Sequence, residues 1–142
     1  IVTGIKVPNI LILEDDVEFI PNCLEMIGAF LVKVPPDWDQ IYLGGQHRLP
    51  HEKTSVSRIF RGNSINRTHA YALKRKVYKK FYVHINHAPD YMDKKNHHVD
   101  HQLELAHRRK DWNVYCPPIW YAGQAEGKSD VCEQDLDSRL WQ

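Results

Sequence analysis

At 142 residues the chain is long enough for one domain with a real hydrophobic core. Lys and Arg number 19 against 18 Asp and Glu, and the net charge of +1 excludes a strong global attraction to nucleic acid or anionic membrane, so any such surface must come from local clustering. No apolar run approaches the roughly 18 residues of a membrane span, and no signal peptide is visible.

In chain order, the Ile-Leu-Ile-Leu run at 10–13 suits a strand buried on both faces of a mostly parallel sheet. A helix follows within 21–35, with Leu24, Ile27, Leu31 and Val34 at helical spacing, Asn22 as N-cap, Glu25 three residues on, and Pro35-Pro36 as its stop. Residues 40–45, Gln-Ile-Tyr-Leu-Gly-Gly, read as a second buried strand. Strand, helix and strand then make a βαβ unit, with acids and glycines at the carboxyl ends of the strands, where ligands of open α/β sheets sit.

A polar loop at 47–55 leads to two expected strands, 56–62 and 66–73, about a turn at Gly62-Asn63. Residues 74–86 read as a helix with Val77, Phe81 and Ile85 on one face and lysines on the other. A loop at 88–98 precedes a helix at 99–109 that buries Val99, Leu103 and Ala106. A late strand at 112–116, a strand-then-loop segment at 117–130 and an acidic, peripheral tail complete a single domain over 1–142. The three cysteines, Cys23, Cys116 and Cys132, have no familiar metal spacing. Their odd count and wide separation favour reduced thiols and a cytoplasmic setting, with a Cys116–Cys132 bridge as the alternative. Asn66 opens a glycosylation triplet, which carries little weight without a secretory signal.

Glu14, Asp15 and Asp16 crowd together at the end of the first strand. Adjacent carboxylates repel, so water, a cation or a divalent metal must compensate. In an extended segment Glu14 and Asp16 share a face and Asp15 points away. Hard oxygen ligands at a strand end suit Mg²⁺ or Mn²⁺ together with substrate phosphate oxygens, and solvated surface acids are the plain alternative.

The ordered set of Leu-Glu-Asp-Asp-Val at 13–17, Asp-Trp-Asp-Gln-Ile-Tyr-Leu-Gly at 37–44, Arg-Thr-His-Ala-Tyr-Ala-Leu at 67–73 before a basic helix, Val99-Asp100 opening a helix, and Gly123, Gln124, Ser129 and Asp130 resembles the family-25 glycosyltransferases, which include enzymes of lipopolysaccharide synthesis and collagen galactosylation. The strings at 42–47 and 66–72 are also similar to phage-encoded glycosyltransferases associated with Tet-type dioxygenases, which glycosylate hydroxymethylated pyrimidines in DNA. The resemblance implies an α/β fold with a GT-A-like mixed sheet flanked by helices, a nucleotide-sugar donor such as a UDP-sugar, and Mn²⁺ or Mg²⁺ held by Glu14 and Asp16. Fewer than ten residues precede the first strand, so most of the N-terminal nucleoside-binding βα units of such a fold are expected to be missing.

Further expectations follow for individual residues. Asp100 is either the general base for the acceptor hydroxyl or an acid favoured by the helix dipole. Asp15, Gly44, Gly45, Gln46, Gln124, Lys128, Ser129 and Asp130 are the donor-binding set, against the plainer readings of a tight turn at the glycines and a polar loop at 123–130. Lys79, Lys80, Arg108 and Arg109 stand in two basic clusters that track DNA phosphates if the acceptor is DNA, and are otherwise solvated helix faces. His97 and His101 have zinc-like spacing but no matching further ligand, and a histidine of this group could instead be a third ligand of the donor-bound metal. The preferred reading is an inverting glycosyltransferase acting on a hydroxymethylpyrimidine in DNA. The alternatives are a glycan, lipopolysaccharide or protein hydroxyl as acceptor, a non-catalytic binding module, and a metal-dependent phosphoesterase.

Overall fold

A computed structural model describes residues 6–87, 98–128 and 135–136. Ten strands and three helices form in the order β1 (Asn9–Leu13), β2 (Val17–Phe19), α1 (Cys23–Leu31), β3 (Gln40–His47), β4 (Glu52–Lys53), β5 (Phe60–Arg61), β6 (Ile65–Lys74), α2 (Tyr78–His87), α3 (Val99–Arg108), β7 (Val114–Cys116), β8 (Ala122–Gln124), β9 (Gly127–Lys128) and β10 (Asp135–Leu136). A six-stranded sheet runs β1-β6-β3-β7-β5-β4, while β2 with β8 and β9 with β10 make separate antiparallel pairs.

The main sheet is mixed, with helices on both faces. Among the described residues only β3 and β7 pair in parallel. The expected βαβ unit is split: β1 and β3 run the same way, but the antiparallel β6 lies between them and pairs with both. This leaves β1 as an edge strand with alternating burial, and Leu11 and Leu13 are 53% and 43% exposed. The expectation of a strand buried on both faces therefore fails, because a short apolar run does not say where in the sheet it sits. The strand at 40–45 is buried, as expected; the structure places it inside the sheet and continues it to His47. The two strands expected about Gly62 do not form a hairpin. β5 pairs with β4 and β7, and the Gly62 N–H donates to the Val114 carbonyl at 3.1 Å.

Alternation along β3 feeds two core layers. Tyr42 joins Tyr71, Leu73, Val77, Tyr78, Phe81, Leu103, Ala106 and Trp112 under α2 and α3, while Ile41 and Leu43 join Phe30, Ala70, Tyr115 and Tyr121 under α1. The predicted apolar face of α2 holds, with Val77 and Phe81 buried and Ile85 packed against them. In α3 Leu103 and Ala106 are buried as expected, whereas Val99 is 37% exposed in the first turn. In α1 the apolar face is rotated: Phe30 is buried and Met26, Ile27 and Val34 pack beside it, but Leu24 and Leu31 face outward. Asn22 sits at the N-cap with φ 60 and makes no side-chain cap, so the helix start is not satisfied as predicted. Asn66 is buried and its amide donates to Glu104 at 3.1 Å, which withdraws the glycosylation triplet from solvent. Cys23 and Cys116 are free thiols, and Cys132 lies outside the described residues, as do the 88–97 part of the expected loop and most of the acidic tail. Among the described residues no helix is long and apolar enough to cross a membrane.

A buried histidine ties α3 to the sheet. The Ile65 N–H can only donate, so His107 Nδ1 accepts from it at 3.3 Å, and His107 Nε2 carries the hydrogen toward Gln40 Oε1 at 3.0 Å. Burial, with the nearby His84 charge, pushes the His107 pKa down to about 3, and burial with His51 lowers His47 to about 4.

Two predictions follow. Phe30→Ala should cost about 3–5 kcal/mol and Leu24→Ala under about 0.5 kcal/mol in urea unfolding, because only Phe30 lies in the core; equal losses would restore the face read from sequence. Both histidines have folded pKa values below their unfolded ones, so the unfolded chain binds more protons. Their stabilisation is present above pH ~6.5 and declines as pH falls toward 4, by up to about 1.4 kcal/mol per pH unit for His107 and by less for the partly exposed His47. His107→Gln should flatten the decline of unfolding free energy measured from pH 6.5 to 4.5.

Candidate metal centre at the end of the first strand

The acids leave β1 in a tight turn rather than an extended segment, with the Val17 N–H donating to the Glu14 carbonyl at 3.3 Å. The turn, and not strand alternation, brings Glu14 and Asp16 to one side. Two other elements hold it. On one flank the Glu14 N–H donates to the His69 carbonyl at 3.0 Å, and the Glu14 carboxylate accepts from the Thr68 hydroxyl and from His69 Nδ1, the latter at 2.9 Å. On the other flank Gln124 Nε2 donates to Asp16 Oδ2 at 2.8 Å, and the Ala125 N–H donates to the Asp16 carbonyl at 2.8 Å.

Thr68 and His69 reach Glu14 because β6 bulges. Gly44 pairs with Ala70 and Gln46 with Asn66, so Gly45 alone stands opposite the three residues Arg67, Thr68 and His69. Arg67 takes φ 68 to make the excursion. Bulges of this kind re-aim side chains and recur beside functional sites. The glycines of β3 make room for it. A Cβ on Gly45 would lie 2.7 Å from Ile65 Cγ2, and one on Gly44 would lie 2.4 Å from the Ala122 carbonyl oxygen. What approaches these two glycines is the protein's own chain: β6 at Gly45, and at Gly44 the strand β8 that carries Gln124 to Asp16.

Glu14, Asp16 and His69 each offer one ligand atom, and these atoms all lie within 4.8 Å of one another. Burial alone would raise the Glu14 pKa, but the hydrogen bonds from His69 and Thr68 and the charges of His69 and Arg67 outweigh it and hold the carboxyl below its ordinary value. The Glu14 carboxylate accepts from His69 Nδ1, an orientation of the ring in which the neutral imidazole has its lone pair on Nε2, the form that binds a metal. Among the described residues neither His69 Nε2 nor Asp16 Oδ1 has a hydrogen-bond partner, although both atoms are buried. Such orphaned groups cost about 1–3 kcal/mol each, which an ion or water would relieve. Two carboxylates and an imidazole fit Mn²⁺ better than Mg²⁺, which favours oxygen alone.

The other expected residues fall as follows. Asp15 is exposed on the turn, and Gln46 is half-buried on β3 beyond the bulge. Lys128 lies in β9, and Ser129 and Asp130, like His97, are outside the described residues. Asp100 stands in the first turn of α3 and accepts from the His101 N–H at 2.8 Å. Burial and Tyr71 raise the Tyr42 hydroxyl well above its ordinary pKa, and the charges of Asp100 and Glu14 add to this, so helix start and acid turn bear on one buried phenol. The basic residues are dispersed. Lys79 is exposed, while Lys80 donates to the Asp111 carbonyl at 2.6 Å. Arg108 donates to Ser64 Oγ at 3.0 Å and forms an ion pair with Glu104, and Arg109 is exposed and engaged in contacts. Lys74, at the start of the first basic cluster, pairs with Asn9 at the opposite end of β1 from Glu14, roughly 16 Å away along the strand.

His69 and Thr68 were legible as part of the 67–73 string but not as site residues, since alternation in a regular strand cannot announce a bulge. Neither the protein-family models nor the curated proteins contain a match to this chain.

Asp16→Asn keeps the shape and can still accept from Gln124, so it should leave the melting temperature within a few degrees while lowering Mn²⁺ affinity by at least tenfold in calorimetry. His69→Ala should lower it comparably, and unchanged affinity in both variants would remove the metal assignment.

Proposed function

We propose that the chain is the metal-binding part of a glycosyltransferase that moves a sugar from a nucleotide-sugar donor to a hydroxyl acceptor with inversion. The observation that carries this reading is the convergence of Glu14, Asp16 and His69 at the end of a sheet strand, where Asp16 and His69 each also have one buried polar atom without a partner among the described residues. The resemblance of residues 13–17, 37–44 and 67–73 to family-25 enzymes supplies the reaction class. In the turn, Glu14 is held ionised and orients His69, while Gln124 fixes one oxygen of Asp16 and leaves the other for a ligand. When bound there, Mn²⁺ supplies Lewis-acid stabilisation of the charge that develops on the leaving diphosphate.

Asp100 is the proposed base that takes the proton of the acceptor hydroxyl. Its bond to the His101 N–H uses one carboxylate oxygen and leaves the other able to accept. The preferred acceptor is a hydroxymethylpyrimidine in DNA, a reading that rests on the resemblance of residues 42–47 and 66–72. The ties of Lys80 and Arg108 to groups within the fold favour the second reading, a glycan or protein hydroxyl, because cations already paired add less to phosphate binding.

Asp100→Asn should lower turnover roughly 10²–10⁴-fold with donor affinity unchanged; near-normal turnover would leave Asp100 as a helix-start acid only. Transfer of labelled sugar to hydroxymethylcytosine DNA, unmodified DNA, a saccharide and a hydroxylysine peptide identifies the acceptor. Label on hydroxymethylated DNA alone supports the first reading, label on the saccharide or peptide the second, and no donor turnover with any acceptor overturns the transferase.

A further inference from the structure

Away from the acids, α1 and the turn at 54–59 border an open cleft of about 230 Å³. Its walls include Met26, Phe30, Ile59 and Tyr121, and its charged groups are Lys33 and Arg58, with no acid among the lining residues. Both are exposed, and among the described residues neither has a hydrogen-bonding or ion-pairing partner for its side chain. Two cations at the rim of an apolar floor offer an anion a site where its charge and its body are met together.

Arg58 is also held there at a conformational cost. Its φ of 66 is the left-handed region that glycine adopts freely and arginine does not. The turn is pinned from both sides. Thr54 Oγ1 donates to the Ile59 carbonyl at 2.8 Å and accepts from the Val56 N–H at 3.1 Å, and the Ile59 N–H donates to the Val56 carbonyl at 3.2 Å. Burial raises the Tyr121 hydroxyl and the Arg58 charge draws it back, so the guanidinium bears on the aromatic wall.

We propose that this cleft is a binding site for a small amphipathic anion, a phosphate or carboxylate carried on an aromatic or apolar body. Lys33 and Arg58 meet the charge, and Phe30, Ile59 and Tyr121 cover the body. The volume admits one ring and one anionic group rather than a dinucleotide or a lipid chain. Tyr121 lies three residues before Gln124, the partner of Asp16, so the site is about 10 Å along β8 from the acid turn and separate from it.

The test is titration of the full chain with phenyl phosphate, benzoate, benzyl alcohol and inorganic phosphate, followed by calorimetry and by amide NMR shifts. Phenyl phosphate or benzoate should bind at one site, with shifts at Phe30, Ile59 and Tyr121, and at least tenfold more tightly than benzyl alcohol or inorganic phosphate. Arg58→Gly should weaken that binding about tenfold without lowering the melting temperature, since glycine accepts the φ without strain. Lys33→Met, at an exposed position in the turn after α1, should weaken it similarly, and higher salt should weaken the wild type. Asp16→Asn should leave it unchanged, which separates this site from the metal centre whether or not the transferase reading holds. Absence of binding at millimolar ligand, equal affinity for benzyl alcohol, unchanged affinity in both charge variants, or loss of binding in Asp16→Asn would each overturn the proposal.

Discussion

The site depends on the bulge of β6 opposite Gly45. Three residues on one strand face one on the other, and the excess turns Thr68 and His69 out of the ladder and against Glu14. A regular pairing through this stretch would keep the β6 side chains in strict alternation and leave the Glu14 carboxylate without its two donors. The bulge in turn requires the absence of a side chain on Gly45, where Ile65 fills the space, and the left-handed backbone of Arg67. Gly44 does the equivalent service for β8, whose Gln124 holds the other acid. Two adjacent glycines thus admit the two strands that clamp the acid turn.

The acids of the 37–39 segment play a different part from those at 14–16. Asp37 accepts from Tyr115 at 3.2 Å and from Asn113 at 3.1 Å, and Asp39 accepts from the Asn113 N–H at 2.8 Å and pairs with Lys76 at 2.7 Å. These bonds fasten the start of β3 to the start of β7, the one parallel pair of the main sheet, and to the basic turn before α2. Their hydrogen bonds serve the structure, whereas Asp16 has an oxygen without a partner among the described residues. The same residue type serves two purposes, and the difference lies in whether the surrounding chain satisfies every lone pair.

Charge follows the same logic. The net charge is nearly zero, and much of the local positive charge is consumed within the fold: Lys74 donates to Pro36, Lys76 to Asp37, Lys80 to Asp111, and Arg108 to Glu104 and Ser64. Runs of Lys and Arg that look like a nucleic-acid surface in one dimension are here partly the caps and ties of neighbouring elements. Lys33 and Arg58, isolated in sequence and outside any run, are the cations left facing a cleft.

The sequence by itself determined the order and type of the main elements, the buried strand at 40–45, the apolar faces of α2 and most of α3, and the acids at the end of β1, because these are set by local periodicity and by residues that end or begin elements. It did not determine that β1 is an edge strand, that the segments about Gly62 part company, or that α1 buries Phe30 instead of Leu24, because each depends on which distant strand or layer lies alongside. The site divides in the same way. The pairing of Glu14 with Asp16 was read from spacing on an extended segment, where the structure has a turn, and His69, Thr68 and Gln124 reach them across 55, 54 and 108 residues of chain. Only tertiary structure decided those contacts, through a register shift in the pairing of β6 with β3 that has no counterpart in the isolated segment.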